Sequence, residues 1–194
     1  MQLILASTSR YRAQLLERLG VHFSAFAPAV DETPAPGEVP ADLVRRLSLA
    51  KALAVAEKST DALVIGSDQV AVDGDRILGK PGTEANACAQ LQDLSGRKVA
   101  FLTGLALVNT ATGSEHVRLV ITPVQFRKLT RPQIDYYVTQ EQPLDCAGAF
   151  KSEGLGIALF EEIGGGDPSA LIGLPLIELC SLLELEGFSV LARR

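Results

Sequence analysis

The chain has 194 residues, of which 47% are hydrophobic and 21% charged, with a formal net charge of −5. That balance excludes an intrinsically disordered chain and is long enough to bury a substantial core. The acidic excess argues against a nucleic-acid binder, whose affinity needs a basic face, so any anion site must be a local cluster of cations.

In chain order, Gln2 to Ala6 reads as a buried strand, and the Ser7-Thr8-Ser9 turn opens a helix carrying Leu15, Leu16 and Leu19 that Gly20 stops. Val21 to Phe26 is a second strand candidate, followed by a Pro-rich loop from Pro28 to Pro40 that holds Asp31 and Glu32. A helix from about Asp42 to Glu57 shows an apolar stripe through Leu43, Leu47, Ala50 and Ala54. The run Ala62-Leu63-Val64-Ile65 predicts an interior strand that ends at Gly66, with Asp68 just past its C-terminal end. A turn at Asp73-Gly74-Asp75, a short strand and Gly79-Lys80-Pro81 follow. Thr83 is placed to cap a helix through Leu94, ended by Gly96. Val99 to Val108 and His116 to Phe126 form a hairpin through Thr110-Ala111-Thr112-Gly113. Thr130 and Gln133 have capping-box spacing for a helix through Val138. Leu155 to Phe160 predicts a further strand, and after Gly164-Gly165-Gly166-Asp167-Pro168 a last helix runs to Gly187. The pattern is α/β with a mixed sheet, in a single domain over residues 1–194, with no repeat and no linker.

Cys88, Cys146 and Cys180 are far apart and odd in number, which gives neither a disulfide framework nor metal-ligand spacing. The apolar run at the N-terminus is too short for a signal peptide, and no stretch is long enough for a membrane span. A cytoplasmic protein is expected, with no membrane and no nucleic-acid partner.

Asp68 stands where open α/β sheets bind ligands, and there a carboxylate holds a metal or takes a proton from water; alternatively it shapes a turn. Gly74 to Pro81 nearly matches G-x-x-x-x-G-K-[ST], but Pro81 supplies neither hydroxyl nor N–H, which rules out a P-loop. Lys80 is then either a turn lysine or a cation fixed towards a phosphate. Lys51 falls on the apolar side of its helix, so it snorkels outward or meets an anion. Arg12, the hydroxyls before it and the free N–H groups of a helix N-terminus make an anion site, although Ser9 also suits a cap. Glu32, from a separate segment, would join Asp68 as an oxygen ligand to a metal. His22 and His116 lack triad or ligand spacing and receive no role.

Taken together, Leu5-Ala6-Ser7-Thr8-Ser9-x-x-Arg12, Asp31-Glu32-Thr33, Lys51-Ala52, Gly66-Ser67-Asp68 and Gly79-Lys80-Pro81 resemble the Maf family of nucleoside triphosphate pyrophosphatases. Gly148 to Gly156 and Gly173-Leu174-Pro175 extend the likeness over nearly the whole chain. The resemblance implies a mixed α/β fold of two lobes around a central cleft, akin to inosine triphosphate pyrophosphatases. It also implies hydrolysis of the α–β phosphoanhydride with a divalent metal cation, Mg²⁺ or Mn²⁺. By that resemblance Asp68 is the catalytic base, Glu32 and Asp68 hold the metal, and Ser7, Arg12, Lys51 and Lys80 bind phosphates. A homodimer is suggested on the same ground. Family members acting on dTTP and UTP have Arg, Thr and Gln where this chain has Tyr11, Gln69 and Glu153, a set similar to the 7-methyl-GTP branch. Glu153 suits the two N–H donors of guanine, and the face of Tyr11 suits the positive charge of a methylated base. The alternatives are dTTP/UTP hydrolysis and a non-catalytic, septum-linked nucleotide-binding protein. Arg10 stands where the family has Pro, which either costs the helix start some preorganisation or adds a phosphate contact.

Overall fold

A computed structural model describes every residue except Asp75, Glu153, Arg193 and Arg194. It holds a seven-stranded mixed sheet in the order β2-β1-β3-β5-β6-β7, with β4 paired to β3. The strands are β1 (Gln2–Ala6), β2 (Ser24–Phe26), β3 (Ala62–Asp73), β4 (Arg76–Leu78), β5 (Lys98–Asn109), β6 (Glu115–Phe126) and β7 (Phe160–Ile163). The helices are α1 (Arg10–Glu17), α2 (Pro40–Ala56), α3 (Glu84–Leu94), α4 (Arg131–Glu141) and α5 (Leu176–Leu185). The mixed α/β class expected from the sequence is the one observed. Among the described residues no helix is long and apolar enough to cross a membrane.

The chain divides into two compact units, one formed by residues 1–69, 103–120 and 167–194, the other by 70–102 and 121–166. In the first, Leu3 to Ala6 of β1 and Ala62 to Ile65 of β3 are apolar without interruption because both faces are covered. Strand alternation then sorts the side chains. Leu3, Leu5, Leu63, Ile65, Leu105 and Leu107 pack with Leu15 and Leu16 of α1 and Leu179, Leu182 and Leu183 of α5. Ile4, Ala6, Ala62, Val64, Ala106 and Val108 pack with Ala52 and Val55 of α2. The second face is lined by smaller residues, so α2 lies closer to the sheet. At Gly66 a Cβ would sit 2.1 Å from the Ser48 carbonyl oxygen, and at Gly104 it would sit 2.2 Å from that of Val44. Glycine inside these two strands is therefore a packing requirement.

The second unit is centred on Phe101, Phe126, Phe150 and Phe160. Phe150 meets Phe101 and Phe160 edge-on, each with ring centroids 4.9 Å apart. Thr130 and Gln133 form the expected capping box on α4, and Thr83 accepts a hydrogen bond from the Asn86 N–H on α3.

Three elements differ from the sequence reading. Of Val21 to Phe26 only Ser24–Phe26 is strand, and all three of those residues are exposed at the sheet edge. Leu155–Leu159 is a 3₁₀ helix and only Phe160–Ile163 is strand. Here Gly156 turns so tightly that a Cβ would lie 2.2 Å from the Lys151 carbonyl oxygen. The third difference is that β3 does not end at Gly66; it continues to Asp73, because its last three residues pair antiparallel with β4.

Candidate active site

Asp68 is thus inside a strand, not beyond its end. The parallel partner β1 nevertheless pairs with β3 only as far as Leu5 opposite Ile65. Asp68 therefore projects past the point where β1 has given way to the Ser7-Thr8-Ser9 turn, the position at which parallel sheets present ligands.

Alternation puts Gly66 and Asp68 on the α2 face of β3 and Ser67 and Gln69 on the other. The close seat of α2 on Gly66 delivers Lys51 to Asp68. Lys51 is 6% exposed, and it does not snorkel outward: its Nζ donates to Asp68 Oδ1 at 2.6 Å and lies 2.6 Å from Glu32 Oε1. Both Asp68 and Lys51 are buried, whereas Glu32 reaches in from the exposed loop before α2. The unusual position of Lys51 on an apolar helix face is explained by this pair of carboxylates.

Arg12 completes the group. Ser9 caps α1 by accepting from the Arg12 N–H, and Ser7 Oγ accepts from the Ser9 N–H at 3.1 Å. The Arg12 side chain donates through Nε to the Gly173 carbonyl at 2.9 Å. Burial pushes the Arg12 guanidinium below its ordinary value, while Asp68 and then Glu32 push it back up. A guanidinium stays charged under such opposing effects. Ser7, Arg12, Glu32, Lys51 and Asp68 all belong to the first compact unit.

Gly173 is a residue whose part the sequence did not disclose. Its carbonyl accepts from both Arg12 Nε and Ser67 Oγ, the latter at 2.8 Å. Its φ of 119° is in the left-handed region that favours glycine. Asp167 and Ser169 hold this loop against α5: Asp167 Oδ2 accepts from the Ile177 N–H and Ser169 Oγ from the Leu176 N–H.

The base-specificity candidates have different surroundings. The Gln69 amide nitrogen donates to Thr103 Oγ1, the Ala170 carbonyl and the Leu171 carbonyl, which commits its N–H groups to the scaffold. Tyr11 accepts from Arg10 Nη2 at 2.8 Å, and the Arg10 guanidinium stands over its ring, 4.8 Å from the centroid. Arg10 therefore covers the aromatic face expected to receive a cationic base. Glu153 lies outside the described residues. In the second unit Lys80 is exposed, on a segment fixed by α3: Gln90 donates to the Gly79 carbonyl and Asn86 to that of Pro81. His116, given no role from sequence, contacts Glu186 at 2.5 Å, and Asn109 donates to the same carboxylate.

Glu32 and Asp68 offer hard oxygen donors that converge on one cation, the Lys51 ammonium, and so suit Mg²⁺ or Mn²⁺. Among the described residues no group of three or more His, Cys, Asp or Glu side chains is placed to hold a metal. The donor set fits an ion that keeps waters and takes further ligands from substrate phosphates, and does not form a cage of protein ligands.

Comparison with known proteins identifies the family of the chain. The family model described as Maf-like protein matches residues 2–186, and the chain belongs to that family. A 7-methyl-GTP pyrophosphatase of Nitrosococcus oceani is 57% identical over 97% of this chain and 95% of the relative. One of Pseudomonas putida is 53% identical over 97% of this chain and 98% of the relative. The Ham1 protein of Staphylococcus aureus shares the fold, with a TM-score of 0.55 and 13% identity over 96% of this chain and all of that one.

Proposed function

We propose that this protein is a nucleoside triphosphate pyrophosphatase that converts 7-methyl-GTP to 7-methyl-GMP and pyrophosphate. Nucleotide pyrophosphatase activity is supported by the family and by relatives bearing that name at 52–57% identity over nearly the whole chain. The observation that carries the reading is the convergence of Asp68 and Glu32 on the Lys51 ammonium, within the electrostatic reach of the Arg12 guanidinium.

In this mechanism Arg12 and Lys51 neutralise the phosphates, and the Ser7 hydroxyl with the N-terminus of α1 contributes hydrogen bonds. The reaction is then mostly positioning and charge stabilisation. The Asp68 carboxylate takes the proton from water. The water oxygen bonds to phosphorus, the α–β anhydride bond breaks, and the leaving pyrophosphate carries away the electron pair. Glu32 and Asp68 would hold a divalent ion, which would supply charge neutralisation at the phosphates.

For specificity, Glu153 is proposed to accept from the N–H groups of guanine, and Tyr11 and Gln69 are the other residues proposed for base recognition. The test is pyrophosphate release from 7-methyl-GTP, GTP, dTTP, UTP and CTP with Mg²⁺ or Mn²⁺. Preference for 7-methyl-GTP is expected. Preference for dTTP or UTP would overturn the specificity, and no turnover by folded protein would overturn the reaction.

A further inference from the structure

The ammonium of Lys51 occupies the point on which the two candidate metal ligands converge, 2.6 Å from Glu32 Oε1 and 2.6 Å from Asp68 Oδ1. We infer that Lys51 is a built-in competitor of the metal: it holds Glu32 and Asp68 in the nucleotide-free protein and gives them up when phosphates arrive. This rests on the proposed reading of the site as metal-assisted.

The charges support the exchange. The formal charges of Glu32, Asp68, Lys51 and Arg12 cancel, so the free site presents no excess of negative charge to a divalent ion. An arriving triphosphate offers Lys51 and Arg12 acceptors of higher charge than a carboxylate. Once Lys51 turns to the phosphates, both carboxylates are left for the cation. The two partners differ in their freedom to follow. The Asp68 side chain is 11% exposed and fixed in β3, whereas that of Glu32 is 60% exposed on a loop. Glu32 is therefore the arm that adjusts. Linkage requires the coupling to be reciprocal, so phosphate tightens metal and metal tightens phosphate. Lys51 thereby gives the site an order of assembly, with weak metal binding until a nucleotide is present.

The measurement is Mn²⁺ binding followed by electron paramagnetic resonance without nucleotide, on wild type, Lys51→Met and Lys51→Gln. Both variants should bind Mn²⁺ at least about tenfold more tightly than wild type. Adding Asp68→Asn to either should remove the gain. If Lys51→Met folds poorly, Lys51→Gln carries the test, read also as a larger Mn²⁺-induced rise in Tm than wild type shows. Variants that bind Mn²⁺ no more tightly than wild type overturn the competition. Nucleotide turnover by wild type, measured in parallel, separates the two ideas. Turnover with no gain in the variants sinks only the competition, while a gain in the variants without wild-type turnover sinks only the hydrolase reading.

Discussion

Gly66→Ala tests how the site is assembled, because it changes no group that touches substrate. The added methyl would stand 2.1 Å from the Ser48 carbonyl oxygen and 2.8 Å from the Ala52 nitrogen, both backbone atoms of α2. Neither can rotate away, so helix and strand must separate by about 1.3 Å to regain ordinary van der Waals distance. If α2 moves as a body, the 2.6 Å bond from Lys51 to Asp68 stretches to roughly 3.9 Å, beyond hydrogen-bonding range. Overpacking of this kind costs about 1–3 kcal/mol, and the upper end applies where backbone meets methyl. In a chain of this length about 3 kcal/mol corresponds to a fall in Tm of roughly 6–12 °C. A misplacement of about 1 Å among reacting groups costs on the order of 100-fold in turnover. The assays are thermal unfolding by circular dichroism and pyrophosphate release. Gly166→Ala serves as the control, since a Cβ there meets nothing within 4 Å. A Gly66→Ala protein with wild-type Tm and wild-type turnover would refute the account of how Lys51 reaches Asp68. A lower Tm with full turnover would refute only the alignment step.

Asp68→Asn should lower turnover by about 10²–10⁴-fold while equilibrium binding of nucleotide is largely retained, and parallel loss of both would deny Asp68 the role of base. Gln69→Ala leaves the Leu171 carbonyl without its donor and should cost about 1–3 kcal/mol, read as a fall in Tm. The same variant should lower the kcat/KM ratio of 7-methyl-GTP over UTP; an unchanged ratio would confine Gln69 to the scaffold. Glu38 is held at about 2, below its ordinary 4.5, first by the side-chain hydrogen bond from Arg46 and then by the Ala35 N–H. Its contribution is therefore complete above the unfolded value and lost as pH falls towards 2. The Tm gap between wild type and Glu38→Gln should accordingly close between about pH 4.5 and pH 2, and a gap constant over that range would contradict this.

The parts legible in the sequence were those governed by local rules. Uninterrupted apolar runs announced strands buried on both faces, and Thr83, Thr130 and the closing glycines bounded helices through capping chemistry. The position of Lys51 on an apolar face left two outcomes, an outward snorkel or an anion partner, and the carboxylates that decide between them come from distant segments. What stayed hidden depended on pairing between distant segments. Nothing in Gly66-Ser67-Asp68 itself says that β4 will return to extend β3, so the strand seemed to end early. Leu155 to Phe160 has strand composition, but the tight approach of Gly156 to Lys151 turns it into a 3₁₀ helix. Gly104 was a readable signal left unused, since a lone glycine in a buried strand often marks close backbone approach. Backbone carbonyls leave no trace in composition, which is why the part played by Gly173 emerges only from coordinates.

That carbonyl also explains how one strand serves two purposes. Asp68 looks towards α2 and carries the charge, while Ser67 and Gln69 look the other way and hold the loop of residues 170–173. Because Gly173 accepts from both Ser67 and Arg12, the guanidinium on α1 is referenced to β3, the strand that bears Asp68. Acid and cation are thus positioned by neighbouring residues of a single rigid element, although they arise from opposite faces of the sheet. Glu32, whose side chain is 60% exposed on a loop, is the member of the site whose position that shared carbonyl does not set.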